Sequence, residues 1–202
     1  MIAGHMSNFV AQDGTQFILI RSHLEDTGEH TKRIGHYSAA IAKKLEQDDH
    51  FIETVLYAAP MHDVGKIGIP DKILLKPGKL DAEEWSIMQT HAAIGGKIMA
   101  DSDVDYIQMA YTAAMTHHEK WDGNGYPNKL KGEEIPLIGR IVAVVDVFDA
   151  LMSKRPYKEP FSLEKTISII TEGRGNHFDP KIVNAFLEIL DEILQIRKEF
   201  QD

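Results

Sequence analysis

His62 and Asp63 set an imidazole and a carboxylate side by side, able to reach neighbouring metal ions if a turn of backbone points both inward. Alone, the dipeptide reads more simply as a helix-end cap or a surface pair. His117 and His118 form a second adjacent pair, and each ring carries a donor and an acceptor that a core would have to satisfy. A metal ion would supply those partners. Asp146 and Asp149 lie three residues apart in the otherwise apolar run Val144-Val-Asp-Val-Phe-Asp-Ala-Leu151, where burying carboxylates is expensive unless a cation or hydrogen bonds compensate them. For Asp149 a buried cap on a neighbouring helix is an equal reading. His91 and His30, each taken singly, are ordinary structural or exposed histidines. Asp26 precedes His30 by four residues, so a continuous helix would put both on one face.

The chain has no cysteine, so any metal must sit on nitrogen and oxygen ligands. Paired ions about 3.5 to 4 Å apart lower the pKa of bound water toward ~7 and clamp a phosphodiester. Lys66, four residues after His62, is placed to stabilise phosphate charge; otherwise it is a solvated loop lysine. In the run Asp122-Gly-Asn-Gly-Tyr-Pro127, Gly125 lets backbone approach a ligand and Tyr126 offers a hydroxyl or a ring face, although the segment also serves as a plain turn.

The elements that must position these groups read as helices. At 202 residues, 43% hydrophobic and 26% charged, the composition fits one well-buried domain with no repeats or low-complexity tract. No run approaches the ~20 apolar residues of a membrane span, and the start lacks the features of a signal peptide, so a cytoplasmic location and no membrane partner are expected. A net charge of -9 argues against binding a nucleic-acid polymer, though not against a small phosphorylated ligand.

The Gly-His-Met stretch at the start resembles a cloning remnant; residues 1–14 are expected to be disordered or cloning-derived and residues 15–202 to form the domain. Apolar spacing predicts helix from Thr15 through Leu24 and over Ile34 to Leu45, as two helices or one kinked one. A short helix is predicted from Phe51 to Met61, then a long loop marked by Gly65, Gly68, Pro70, Pro77 and Gly78. Asp81 and Glu84 form a capping box. Gly95-Gly96 should bend or tightly pack the segment opened by His91. Helices are expected over Tyr106 to His118 and from Pro136 to about Ser153, and Ser162 and Asp179 as N-caps of the last two. The β-branched run Arg140 to Val147 could be a buried strand, but its length favours helix. The fold class is all-α: a single helical domain of about seven or more helices around a metal site.

In order along the chain, Asp26-Thr-Gly-Glu-His30-Thr-Lys-Arg33, His62-Asp-Val-Gly-Lys66, His91-Ala-Ala-Ile-Gly95, His117-His-Glu119, Asp122-Gly-Asn-Gly-Tyr-Pro127 and Asp146-Val-Phe-Asp-Ala-Leu151 with Arg155-Pro-Tyr-Lys158 resemble the motifs of the HD-GYP family, a branch of the HD-domain phosphohydrolases. The likeness runs from about Asp26 to Pro180. It implies two or three divalent metal ions, usually iron or manganese, and linearisation of cyclic di-GMP. By that resemblance Asp63 bridges metals and acts in catalysis, His62 and Asp146 hold one ion, His91, His117 and His118 hold another, and His30 completes the set. Asp26 would reach a third ion, although many members with three ions carry a Glu there. Gly125, Tyr126, Pro127, Arg155 and Lys158 would contact substrate; as isolated charges the last two are ordinary surface groups.

Two alternatives stand beside this reading: a hydrolase of another cyclic dinucleotide such as cyclic GMP-AMP, and a catalytically silent cyclic-dinucleotide receptor. A sensor or receiver domain, or a regulatory partner, would lie outside this chain. His177-Phe-Asp-Pro180 is also family-like but reads as structural, because helix-start chemistry explains it.

Overall fold

The computed structural model describes residues 6–10, 16–20, 28–154 and 159–201. Strands β1 (Met6–Val10) and β2 (Gln16–Ile20) pair antiparallel, with Phe9 opposite Phe17. The helix expected from Thr15 is thus a strand over these residues. Phe17-Ile-Leu-Ile20 is a short apolar run too brief for its period to separate strand from helix, and pairing decided it.

From Gly28 onward the chain is helical, and the all-α expectation holds for the domain. Helix α1 (Gly28–Lys44) is followed by α2 (Asp49–Ala58), capped by Asp48, whose carboxylate accepts the Phe51 N–H. A 3-10 turn over Ala59–Met61 delivers His62, and a second over Val64–Gly68 follows Asp63. The loop expected here therefore contains ordered turns, including the four-residue α3 (Asp71–Leu74). Next come α4 (Ala82–Gln89), with the predicted Asp81/Glu84 capping box, α5 (His91–Met99) and α6 (Asp105–Thr116).

Helix α7 (Leu137–Met152) starts one residue after Pro136, which is its N-cap rather than its first turn. It is buried nearly all round, which explains its β-branched, non-alternating sequence: a central helix need show no polar face. Helices α8 (Leu163–Glu172) and α9 (Pro180–Glu188) begin at Ser162 and Asp179 as expected. A further helix, α10 (Leu190–Glu199), follows the non-helical Ile189, a break that no proline or glycine announces.

The main core gathers Ile34, Tyr37 and Ile41 of α1, Val142, Val145 and Phe148 of α7, and Ile182, Val183 and Phe186 of α9. The face of α7 that meets α1 also carries Asp146 and Asp149, so the core helices hold the polar site in register. Among the described residues no helix is long and apolar enough to cross a membrane.

Candidate metal centre

Seven candidate ligands converge as two groups. Asp63, His91, His117 and His118 each place a donor atom within 4.8 Å of the others, and so do His30, His62 and Asp146. They come from α1, the turns after α2, α5, the end of α6 and α7.

Local structure explains why the rings face inward. His62 Nδ1–H donates to the Ala59 carbonyl at 2.9 Å, His91 Nδ1–H to Met88 at 2.7 Å, and His117 Nδ1–H to Ala113 at 3.0 Å. A carbonyl oxygen can only accept, so the proton sits on Nδ1 and Nε2 presents a lone pair. His30 is fixed the same way by a carboxylate, its Nδ1–H donating to Asp149 at 2.7 Å. Gly65 permits this assembly: a Cβ there would overlap the His91 carbonyl oxygen, so only glycine lets the Asp63 turn lie against α5.

Asp63 stands between the two groups. Its Oδ1 lies 3.2 Å from His91 Nε2 and 3.6 Å from His117 Nε2, and its Oδ2 lies 3.2 Å from His62 Nε2 and 2.7 Å from Lys66 Nζ. Burial raises its carboxyl pKa, but the groups around it, led by the Lys66 charge, win and hold it well below the usual range. It is therefore an anion. Asp146 faces His62 at 3.8 Å and His30 at 3.9 Å, a wider group than the first.

The donor set fits metal ions. His91 Nε2 lies 3.1 Å from His118 Nε2 and 3.5 Å from His117 Nε2, with a lone pair on the two rings whose Nδ1 is anchored. Burial pushes both His117 and His118 down from their ordinary pKa, and the adjoining His117 adds to the effect on His118, so protonation does not relieve this crowding. A cation does. Ligand atoms ~2.1 Å from one ion lie roughly 3.0 to 3.4 Å from one another at octahedral or tetrahedral angles, close to the spacings seen here.

Asp149 was open between a helix cap and a metal-related group. It is 0% exposed and caps nothing; besides His30 it accepts from Arg33 at 2.7 and 2.9 Å and from Arg197 at 2.8 Å. Burial opposes its ionisation, yet the hydrogen bonds of His30 and Arg33 hold its carboxyl far below normal. Sequence reasoning missed the two arginines, though Arg33 lies three residues from His30 and Asp149 three from Asp146, each on one helical face. It also missed Glu119, a buried carboxylate that accepts the N–H groups of Asn128 at 2.7 Å and Leu130 at 3.1 Å and so ties the glycine-rich loop to the His117-His118 pair. Gly125 sits so close to Glu119 and Lys120 that a Cβ would collide with their backbone. Tyr126 stacks on His118, ring centroids 4.6 Å apart, and Pro127 follows it in the same loop. Asp26, Arg155 and Lys158 lie outside the described residues. His177-Phe-Asp-Pro180 is structural as read: Asp179 caps α9 and pairs with Arg140 at 2.7 Å.

A helical domain whose adjacent His and Asp share a pocket with four further imidazoles and a second carboxylate defines the HD class of proteins. The chain belongs to the HD-domain family, whose sequence profile matches residues 15–182, and the motif resemblance to its HD-GYP branch holds. It is 46% identical over 177 residues to a "Cyclic di-GMP phosphodiesterase" of Thermotoga maritima, covering 88% of this chain and 48% of that protein. It is 45% identical over 183 residues to a "3'3'-cGAMP-specific phosphodiesterase 2" of Vibrio cholerae, covering 91% of this chain and 35% of that protein. The chain thus spans about half or less of these relatives' length. Among solved structures, a cyclic GMP-AMP specific phosphodiesterase of V. cholerae superposes with TM-score 0.63 at 19% identity, covering 84% of this chain and 46% of that one. An HD-GYP-type protein of Bdellovibrio bacteriovorus gives TM-score 0.60 at 17% identity, covering 83% and 55%. Both show the shared fold.

Proposed function

We propose that this chain is a metal-dependent phosphodiesterase that linearises cyclic di-GMP, with iron or manganese as its metal, in the bacterial cytoplasm. The observation that carries this reading is Asp63, whose two oxygens face two separate imidazole groups, the arrangement a bridging carboxylate needs. Asp63, His91, His117 and His118 would hold one ion and His30, His62 and Asp146 another, with Asp63 shared. When bound, such a pair supplies a water of pKa near ~7 and neutralises phosphate charge.

The chain's own residues do the rest. Asp149 and the backbone carbonyls engage the Nδ1–H groups and aim the Nε2 atoms inward. Lys66, at 2.7 Å from Asp63, brings a positive charge to the edge where a phosphate would sit. Attack of water oxygen on phosphorus breaks the bond to the 3′ oxygen, which leaves with a proton, giving a 5′-phosphate and a free 3′ hydroxyl. Gly125, Tyr126 and Pro127 would shape the wall beside His118, and Arg155 and Lys158 would bind phosphate or guanine.

The second reading, preference for cyclic GMP-AMP, is favoured by the 45% identical relative named for that substrate. Assaying the metal-loaded protein on both dinucleotides separates the two. His62→Ala or Asp63→Ala is expected to cut turnover by more than about 100-fold with the circular dichroism of the helices retained. Wild-type turnover by either variant at full metal loading would overturn the assignment, and binding without any turnover by the unmutated chain would make it a receptor.

A further inference from the structure

Trp85 is 48% exposed, although an indole is among the side chains whose covering most benefits a fold. Helix α4, which carries it, contributes no buried residue; its capping box and the Lys76–Glu84 ion pair stabilise it instead. The core therefore gives no reason for a tryptophan here. The ring instead meets Tyr126, centroids 6.3 Å apart at 82°. Tyr126 lies nearly parallel to His118 at 4.6 Å and 26°, and edge-on to His91 at 6.4 Å. A continuous line of rings leads from two candidate metal ligands to a half-exposed indole two contacts away.

We propose that Trp85 is a nucleobase-stacking residue of the substrate site, its exposed indole taking a purine base of the dinucleotide whose phosphodiester lies at the His118 side of the centre. This rests on the proposed hydrolysis of a cyclic dinucleotide and adds the element that holds the base. Purine rings stack on tryptophan whatever their hydrogen-bonding edges, so Trp85 contributes affinity for both guanine and adenine and does not choose between them. An indole offers a π face and no charge to hold a phosphate, so the base rather than the phosphate is its partner.

The test is steady-state kinetics with the metal-loaded full chain and cyclic di-GMP. Trp85→Ala is expected to raise KM by about tenfold, within the roughly 5- to 150-fold that one aromatic contributes per stacked base. The value of kcat should stay within about twofold, because the contact is made equally before and during reaction. Metal content should not change, and Trp85→Phe, which keeps a π face, should recover most of the affinity. The chain has two tryptophans, so in Trp121→Phe the indole fluorescence reports Trp85 alone. It should be quenched saturably by GMP and not by ribose 5-phosphate. An unchanged KM in Trp85→Ala, or equal responses to the two probes, would overturn the proposal. If the wild-type chain turns over no cyclic dinucleotide, the proposed function falls, while the GMP titration still decides whether Trp85 stacks a base.

Discussion

At the scale of single residues, the chemistry rests on which ring nitrogen carries the proton. Three histidines are set by carbonyls of their own chain segments, and His30 is set by Asp149 across 119 positions of sequence. Asp149→Asn is therefore expected to act twice. It breaks buried pairs with Arg33 and Arg197, costing ~3–5 kcal/mol in urea unfolding, and it lets His30 turn, weakening metal affinity by roughly 10- to 100-fold in a competition titration. Stability loss with unaltered metal affinity would confine Asp149 to packing. Asp26 poses the opposite case. Its side chain is one methylene shorter than glutamate, a ~1.5 Å deficit that is large against the ~0.2 Å tolerance of a metal–ligand bond. Elemental analysis should find two tightly bound ions per chain, with Asp26→Glu raising occupancy of a third; three full equivalents in the unmutated protein would refute this.

At the scale of elements, the segment between α6 and α7 is held by backbone bonds to the turn before α9. Trp121 N–H donates to the His177 carbonyl at 3.0 Å and Asp122 N–H to Asn176 at 2.9 Å. His177 stacks on Phe178 at 4.2 Å, and burial, with help from Lys120 and against Asp122, lowers its pKa from 6.5 to about 4. The native ring is thus neutral where the unfolded one is charged. Between about 6.5 and about 4 the unfolded state binds the extra proton, so stability falls as pH falls through that window and is unaffected above it. The loss attributable to this ring is ~1–2 kcal/mol after allowing for its partial exposure. His177→Gln should remove that slope when urea unfolding is compared at pH 7.5 and 4.5; identical slopes in both proteins would exclude His177 as the cause.

At the scale of the whole molecule, the ligands span positions 30 to 146 and derive from five separate parts of the helical domain. Ions that bind the folded arrangement and not the unfolded chain stabilise it by about 4 kcal/mol at a thousandfold excess over Kd. For a chain of this size that corresponds to a shift in Tm of roughly 8–16 °C. Calorimetry with and without a chelator should show such a drop, reversed by iron or manganese. A Tm indifferent to chelation would mean that the paired groups are not filled in solution.

The amino-acid sequence by itself determined the helical class, the caps at Asp81, Ser162 and Asp179, and the identity of the chemistry-bearing side chains, because periodicity, capping and ligand type are local properties. Adjacent pairs such as His62-Asp63 and His117-His118 were legible for the same reason. The tertiary structure alone decided that Gln16–Ile20 is a strand, since so short an apolar run takes its conformation from its partner. It alone revealed Asp149 as the group that orients His30, with Arg33 and Arg197 completing its partners, because those contacts join α1, α7 and α10, which sequence distance hides. The same holds for Trp85: its half-exposed place beside Tyr126 is fixed only when two remote segments fold against each other.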